Sequence, residues 1–353
     1  MGNISSVIKM GNVVTLAHGS GGVETAQILS RLFFNRLEES MKRTKDGVGI
    51  DFPDDAAAIR TSDGYFVVKV DSYTVKPLFF PGGDIGVLAA SGSINDVLML
   101  GGLPIAILDA IVTEEGFDMD ILEKIINSFV NVLKQENIPL IGGDFKVMPK
   151  GQIDGIVIST VGVGFAKKLI LDKDLKPGDR IITTGFLGDH GATILAMQQG
   201  INLSESSLKS DVRPLTRLMK PLLEKYSEYI HAARDPTRGG AAMVFNDWAR
   251  ESGTVIIINE KDLPIRSEVK TYCDMLGIDP LYLANEGAAI IGVDPNVADE
   301  IVEFMKQHGF DKAMIIGEVK KSEEFNGLVL LKTVVGGYRI LEPPMGELVP
   351  RIC

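Results

Sequence analysis

The chain has 353 residues, of which 45% are apolar and 24% are charged, and this composition predicts a globular protein of about two domains. Its net charge of −11 at pH 7 excludes nucleic acid as a main partner, because no basic run is available to neutralise phosphates. Cys273 and Cys353 are the only cysteines, which excludes a disulfide framework. No signal peptide and no membrane span are predicted, so the cytoplasm is the expected location.

Helical and extended patterns alternate along the first half of the chain. A glycine-rich segment at residues 17–22 precedes the first predicted helix. Apolar residues spaced three and four apart predict amphipathic helices, and β-branched apolar runs predict buried strands. The predicted helices cover residues 23–41, 84–100 and 117–137, and the predicted strands cover residues 65–70, 105–112 and 155–163.

The second half mixes both element types again after a turn at residues 175–179, which is the predicted domain boundary. The pattern leaves the strand pairing open. The sequence therefore predicts an α/β protein with four parts: a glycine-rich segment and helix (1–44), a first α/β domain (45–170), a second α/β domain (171–341) and a flexible tail (342–353). The assignment of ATP binding to residues 45–170 comes from the family resemblance that the motifs below carry.

Glycine and aspartate clusters mark the first half, which has neither a GxxxxGK[ST] P-loop nor a GxGxxG motif after a strand. Asp71 ends a predicted strand, Asp96 interrupts a buried-looking helix, and Asp144 follows two glycines. Carboxylates at element ends suit Mg²⁺, which prefers oxygen ligands and bridges phosphates. Glycines after His18 can offer backbone N–H groups to a phosphate at the start of a helix. Each cluster alone is equally compatible with a turn or a cap.

The C-terminal segment ends in Cys353 and contains Pro343, Pro344 and Pro350. Prolines disfavour helix and remove backbone donors, so the segment is predicted to be an extended, mobile arm. Twelve residues from Glu342 onward span roughly 40 Å when extended. Such an arm can carry a thiol from solvent into a cleft, although a frayed terminus with an incidental cysteine has the same composition.

Several collinear motifs resemble those of the HypE family of hydrogenase maturation proteins. They are AHGSGG at residues 17–22, DSY at 71–73 with PLFFPGGD at 77–84, GFLGDHGAT at 185–193, RDPTRGG at 234–240, NEG at 285–287 and PRIC at 350–353. The resemblance covers residues 16–353. It implies membership of the ATP-binding superfamily that includes aminoimidazole ribonucleotide synthetase, selenophosphate synthetase and thiamine monophosphate kinase.

The resemblance implies an ATP-dependent carbamoyl dehydratase. Members of the family receive a carbamoyl group on their C-terminal cysteine from HypF and dehydrate it to a thiocyanate with ATP. The cyanide then passes through the HypC–HypD complex to the iron of [NiFe]-hydrogenase. The implied fold has two α/β domains of the aminoimidazole ribonucleotide synthetase type, and the first domain pairs in a homodimer through β-strands.

The resemblance also implies roles for individual residues. Cys353 is the expected carrier thiol, and Glu286 and Lys146 are the other expected catalytic residues. The residues expected to bind ATP are His18, Gly19, Ser20, Gly21, Gly22, Asp55, Gly142 and Gly143, and those expected to bind Mg²⁺ are Asp54, Asp71, Asp96, Asp144 and Asp235. Glu286 could instead cap a turn, Lys146 could be a surface charge or a phosphate contact, and His18 could only order the glycine loop.

Two positions depart from the family pattern. Phe145 stands where threonine is expected after Gly-Gly-Asp, which removes a hydroxyl near the expected site, and Pro236 stands where alanine is usual. A small-molecule kinase similar to thiamine monophosphate kinase is the main alternative; it would share the ATP site but have no use for a terminal cysteine. A non-catalytic scaffold that binds nucleotide and docks partners through its tail is a third possibility.

Overall fold

Two β-sheets, one from each half of the chain, organise the fold. The computed structural model describes residues 13–52, 54–203 and 206–346, so Cys353 lies outside the described residues. The elements of the first half are α1 (Val23–Leu32), β1 (Ala57–Arg60), β2 (Tyr65–Tyr73), β3 (Phe79–Phe80), β4 (Gly83–Asp84), α2 (Ile85–Met99), β5 (Leu103–Glu114), α3 (Met119–Glu136), β6 (Leu140–Met148) and β7 (Ile156–Ala166). The first sheet has the strand order β1-β2-β7-β5-β6, and β3 pairs with β4 in a hairpin.

The second sheet is built after residue 179. Its elements are β8 (Arg180–Thr183), α4 (Asp189–Gln198), α5 (Thr216–Tyr226), β9 (Ile230–Arg234), α6 (Gly240–Ser252), β10 (Val255–Asn259), α7 (Ser267–Leu276), β11 (Ile290–Val293), α8 (Ala298–Gln307), β12 (Met314–Lys320), β13 (Val329–Lys332) and β14 (Tyr338–Ile340). The strand order is β14-β13-β10-β12-β8-β11-β9, with a parallel pair at β10 and β13. The mixed α/β class is confirmed, whereas the division into four segments stays a prediction.

Helix α2 joins the two halves of the molecule. It begins after Asp84, whose side chain accepts hydrogen bonds from the backbone N–H groups of Gly86 and Val87 at 2.7 and 3.0 Å. Ile85 and Leu88 share one buried apolar cluster with Ile182 of β8, so the core is continuous across both sheets. Nearly every α2 residue is buried, including polar ones that need partners.

The polar pair Asn95–Asp96 interrupts the apolar pattern of α2 but not the helix itself, which was predicted over residues 84–100. Asn95 and Asp96 lie inside α2 without breaking it, because both side chains find partners. The Asn95 amide donates to the carbonyl of Arg213 and accepts from the N–H of Leu215, and Asp96 pairs with Lys69. Polar groups satisfied in this way can remain in a buried helix.

Alternation along the strands divides the first sheet into a covered and an open face. Thr160 donates to the carbonyl of Ala89 in α2, which identifies the covered face. Strand register places four neighbouring residues side by side across the sheet: Val70, Val161, Leu108 and Gly142. Because Val161 directly follows Thr160 on β7, these residues lie on the opposite, open face. Val70 is 66% exposed there. A single chain thus leaves one largely apolar face of this sheet open.

Three element boundaries differ from prediction. Helix α1 ends at Leu32, nine residues early, and two short 3₁₀ turns follow it. Strand β2 continues past Asp71 to Tyr73, and β6 runs straight through the Gly142–Asp144 cluster, so neither aspartate ends a strand. Helix α5 was not predicted, because it contains Pro221.

Cys273 lies buried in α7, and burial raises the pKa of its thiol to about 12. Such a thiol forms almost no thiolate near neutral pH.

Among the described residues, no helix is long and apolar enough to span a bilayer.

Candidate active site

A cavity of about 350 Å³ lies where the two sheets meet the glycine-rich segment. Its charged and polar lining comes from both halves of the chain, and the apolar α1 residues close one side. The lining includes Gly21, Gly22, Asp54, Asp55, Lys69, Asp71, Tyr73, Asp96, Arg234, Asp235, Arg238 and Glu286. The fold therefore brings together eight of the sixteen residues that the sequence singled out.

Three carboxylates form the centre of this cavity. Oxygens of Asp55, Asp96 and Asp235 lie within 4.8 Å of one another, although the residues come from a loop, from α2 and from the end of β9. Burial raises the pKa of Asp55 and of Asp235 well above the ordinary value, and the neighbouring carboxylates raise both further. Both oxygens of Asp235 and Oδ2 of Asp55 are buried without a hydrogen-bond partner in the described structure. Among the described residues, Asp235 therefore has no hydrogen-bond donor on either oxygen, whereas Asp55 and Asp96 each have a cation beside one oxygen.

Asp54 differs from Asp55 in its hydrogen bonds. Its two oxygens accept from the backbone N–H groups of Asp55 and Asp172, at 2.8 and 3.3 Å. Asp55, which the sequence assigned to nucleotide, is the residue that lies with Asp96 and Asp235. Asp71 also lines the cavity, with Oδ2 3.9 Å from the Lys69 ammonium.

Lys69 is a cation of this site that the sequence did not single out. Its Nζ lies 2.9 Å from Oδ2 of Asp96. Burial alone would lower the pKa of Lys69, but Asp96, Asp71 and Asp55 outweigh it and hold that pKa above the ordinary value. A usable signal was present: Lys69 stands two residues before Asp71 on one strand, and residues two apart on a strand share a face.

Arg234 connects the cavity to both halves of the chain. Its guanidinium lies 3.1 Å from Asp55, 2.8 Å from Asp172 and 2.9 Å from Asp247. Asp172 in turn accepts a hydrogen bond from the indole N–H of Trp248 at 2.5 Å. A buried arginine needs such partners, and here they fix the loop that carries Asp55 against the second sheet.

Glu251 lies near this arginine and gives a pH-dependent prediction. Burial, with smaller contributions from Asp247 and Asp54, raises its pKa from 4.5 to about 7, although Arg234 opposes the rise. The folded chain therefore holds this proton more tightly than the unfolded chain, so Glu251 favours the fold below pH 4.5 and that contribution is lost as pH rises through about 7. Glu251→Gln is expected to stabilise the metal-free protein by about 1–2 kcal/mol at pH 8 and by nothing near pH 4.5.

Urea unfolding at several pH values measures this difference. Glu324→Gln, an exposed residue, is the matched control and should show no pH-dependent gain. An equal gain for Glu251→Gln at pH 8 and pH 4.5 would contradict the assignment.

Glu286 is held at the cavity by a tightly packed turn. Asp211 accepts hydrogen bonds from the N–H groups of Glu286 and Gly287 at 3.2 and 3.1 Å and from the Asn285 amide at 2.9 Å. A Cβ on Gly287 would lie 1.8 Å from the Asp211 carbonyl, so only glycine fits there. Burial raises the pKa of Glu286 well above its ordinary value, with Asp211, Asp71 and Asp96 adding to the rise. Asp211 carried no sequence signal.

The glycine-rich segment reaches the cavity only through its last part. Gly21 and Gly22 line the cavity, and Gly22 caps the start of α1. His18 instead accepts a hydrogen bond on Nδ1 from the N–H of Thr15, within its own 3₁₀ turn, so it orders the segment. Gly19 and Ser20 do not line the cavity.

Four expected site residues lie elsewhere in the same chain. Gly142, Gly143, Asp144 and Lys146 belong to β6, the edge strand of the first sheet, and none lines the cavity. Register places Asp144 opposite Ala110 and Lys146 opposite Val112, on the open face, whereas Asp71 shares the covered face with Thr160. Within one chain, β-strand alternation therefore places Asp144 and Lys146 on the face opposite to Asp71, and their expected roles stay predictions.

Comparison with known proteins gives the family. The model of AIR synthase related protein matches its N-terminal domain to residues 53–166 and its C-terminal domain to residues 176–329. Carbamoyl dehydratase HypE of Azotobacter vinelandii is 38% identical over 343 residues, which is 96% of this chain and 97% of that protein. The chain belongs to the HypE family.

Solved structures agree with this membership. A HypE in a HypE–HypF complex superposes with a TM-score of 0.81 at 36% identity, covering 92% of this chain and all of that one. A HypE in complex with ATP has a TM-score of 0.78 at 37% identity, covering 97% of this chain and all of that one. A thiamine monophosphate kinase homologue, AaThiL with AMPPCP and TMP, is only 18% identical and shows the shared fold alone.

Proposed function

We propose that this chain is an ATP-dependent carbamoyl dehydratase that converts an S-carbamoyl group on Cys353 into a thiocyanate and supplies cyanide to the iron of [NiFe]-hydrogenase. The observation that carries the proposal is the course of the tail. The N–H of Gly346 donates to Glu24 at 3.1 Å, and the hydroxyl of Ser20 donates to the Gly346 carbonyl at 3.3 Å. Gly346, the last described residue, therefore lies against the glycine-rich segment, whose Gly21 and Gly22 line the cavity.

The remaining length of the tail suits this role. The carbonyl of Pro344 would lie 3.0 Å from a Cβ on Gly22, which itself lines the cavity. Seven residues follow Gly346 and reach roughly 23 Å when extended. That length supports a thiol that enters the cavity for dehydration and leaves it to meet a partner. A small-molecule kinase would have no use for it.

The residues of the cavity fit Mg²⁺ and ATP. Asp55, Asp96 and Asp235 would hold the cation, because oxygen atoms are its preferred ligands and those of Asp235 have no hydrogen-bond partner among the described residues. When bound, Mg²⁺ would neutralise the phosphates, and ATP would supply the phosphoryl group that turns the carbamoyl oxygen into a leaving group. Lys69 balances the charge of Asp96, and Arg234 holds Asp55 in place.

Glu286 is the proposed base of the second step. It would accept a proton from the carbamoyl nitrogen as phosphate departs, and a raised pKa makes its carboxylate the stronger acceptor. Asp211 and Asn95 fix the backbone on either side, so the carboxyl group needs little reorganisation.

Lys146 and Asp144 are proposed to act in a homodimer. The open face carries Phe66, Val70, Val161 and Phe165, and β6 at its edge has unpaired backbone groups on one side. Pairing of two such faces would cover the apolar surface and place Lys146 and Asp144, with Gly142 and Gly143, near a partner copy. A dimer would then account for the expected roles of these residues, which do not line the cavity of their own chain.

Disruption of this face is expected to yield monomers. Val70→Asp would bury a charge in an apolar interface, which costs several kcal/mol unless the charge is paired. Light scattering after gel filtration measures the mass. Val335→Asp, at an 89% exposed valine outside this face, should leave the dimer intact. A Val70→Asp dimer of unchanged stability would contradict the proposed interface.

Solved complexes of relatives support HypF as the carbamoyl donor and ATP as the co-substrate. The HypC–HypD complex is the proposed cyanide acceptor. This chemistry needs ATP and a reduced thiol, both of which the cytoplasm supplies.

Intact mass tests the proposed function. The protein is incubated with HypF, carbamoyl phosphate and ATP, and then with further ATP and Mg²⁺. A carbamoyl adduct that later loses one water is expected. Cys353→Ser should form no adduct, and Cys273→Ala should behave as the unaltered chain does. An adduct that never loses water, or one that forms on Cys353→Ser, would refute the proposal.

A further inference from the structure

A second cavity, of about 410 Å³, lies behind the turn that carries Glu286. It opens between the β3–β4 hairpin and the second sheet, and Gly82, Gly185, Gly287 and Gly309 form part of its wall. Its volume is in the range of small-molecule sites. None of the functions described above uses this cavity.

Cations converge on this cavity although the chain as a whole is strongly acidic. Lys209, Arg213, Arg266 and Lys312 all line it. Two of them are held by aromatic faces: the Arg213 guanidinium lies 4.4 Å from the ring centre of Phe310, and that of Arg266 lies 4.1 Å from the ring centre of Phe186. Stacking of this kind fixes the direction of a guanidinium and leaves its edge for an anion.

The carboxylates of the wall do not cancel this charge. Asp189 pairs through Oδ2 with Arg266 at 2.7 Å, and Asp211 is engaged by the 285–287 turn. Four cations of the wall therefore face three carboxylates, Asp189, Asp211 and Asp311, which leaves one net positive charge. An anionic ligand matches this balance, and phosphate is a common biological anion that arginine and lysine bind.

An unsatisfied acceptor gives a second, independent indication. Oδ1 of Asp189 is buried and has no hydrogen-bond partner among the described residues, and Asp189 is only 3% exposed. A buried acceptor without a partner is costly, and a ligand N–H or O–H group would relieve that cost. The expected ligand therefore carries a hydroxyl or amino group as well as a phosphate.

We infer that this cavity is a second binding site, distinct from the ATP cavity, for a small phosphorylated molecule. Its wall contacts the turn that carries Glu286: Arg213 donates through Nε to the carbonyl of Gly287 at 3.1 Å, and Asp211 accepts from the N–H of Glu286. The two sites are thus separated by one turn of backbone. A ligand on Arg213 contacts the segment that positions the proposed base.

Calorimetric titration tests this site on the full-length reduced chain loaded with Mg²⁺ and AMPPCP, so that the first cavity is filled. The probes are inorganic phosphate, glycerol 3-phosphate and acetate. One phosphate per chain is expected, and acetate should bind at least about tenfold more weakly. If glycerol 3-phosphate binds more tightly than phosphate, its hydroxyl groups contact the Asp189 acceptor and the site is assigned to a phosphorylated metabolite. If the two bind equally, the site is assigned to free phosphate and the proposed phosphorylated metabolite is ruled out.

Charge-matched variants locate the binding. Lys209 and Lys312 are exposed, so Lys209→Gln with Lys312→Gln should fold normally and weaken phosphate binding at least about tenfold. Lys306→Gln with Lys332→Gln removes the same charge from other surfaces and should bind phosphate as before. Unchanged binding in the first pair, equal loss in both pairs, or no saturable phosphate binding by the unaltered chain would overturn the inference. Binding is measured without turnover, so the result does not depend on the dehydratase assignment.

Discussion

Glu286→Gln is expected to let Cys353 take up the carbamoyl group but to slow the subsequent loss of water roughly a hundredfold to ten-thousandfold, the usual contribution of a positioned base. Glutamine keeps the size of the side chain and the hydrogen bonds that Asp211 makes to the backbone of the turn. Only the proton acceptor is removed. Intact mass over time, with ATP and Mg²⁺ added after carbamoylation, follows the loss of water directly.

The control for this variant must separate catalysis from folding and from nucleotide binding. Glu303→Gln changes an exposed glutamate of α8 and should dehydrate the adduct at the normal rate. ATP affinity of Glu286→Gln should stay within a few-fold of normal, because removing one carboxylate from a crowded anionic cavity does not weaken phosphate binding. Dehydration at the normal rate by Glu286→Gln would show that another group takes the proton and that Glu286 only caps the turn.

The sequence was a good guide to elements whose residues depend on local pattern. Helix α3 begins at the Asp118 cap and ends at Asn137, which adopts a left-handed conformation, and both lie within the predicted range. The apolar strands β5 and β7 were also predicted close to their bounds. Helix α1 was overextended because the 3₁₀ turns after Leu32 keep a helical spacing of apolar residues.

The register between strands that are distant in sequence determines which residues reach the site, and local sequence patterns do not predict it. Asp71 and Asp144 both follow apolar runs of a strand, yet they point to opposite faces of one sheet. A shift of one residue in register would exchange those faces, and no local pattern reports it. Lys69 and Arg234 were missed for a related reason: their partners Asp96 and Asp172 are distant in sequence, so a motif search sees only isolated charges.

Asp235→Asn is expected to have opposite effects on the metal-free and the metal-loaded protein. Without metal, the carboxylate adds a buried charge beside Asp55 and Asp96, so its removal should stabilise the fold by about 1–3 kcal/mol. With saturating Mg²⁺ and ATP, the unaltered chain gains about 2.7 kcal/mol at a hundred times Kd, and the variant should lose most of that gain. Thermal unfolding with and without Mg²⁺–ATP measures both changes.

The opposite signs of the stability changes in the metal-free and metal-loaded protein distinguish a metal ligand from a structural carboxylate. A residue that only holds the fold together would destabilise both forms when it is replaced, and an exposed one such as Asp274 should change neither when replaced by asparagine. Both Asp235 oxygens are buried without a hydrogen-bond partner in the part of the chain that the structure describes, so the metal-free fold retains a charge that a bound cation or proton would relieve. A metal-free Asp235→Asn protein that melts below the unaltered chain would therefore count against this site as the Mg²⁺ centre, and would assign the carboxylate to the fold.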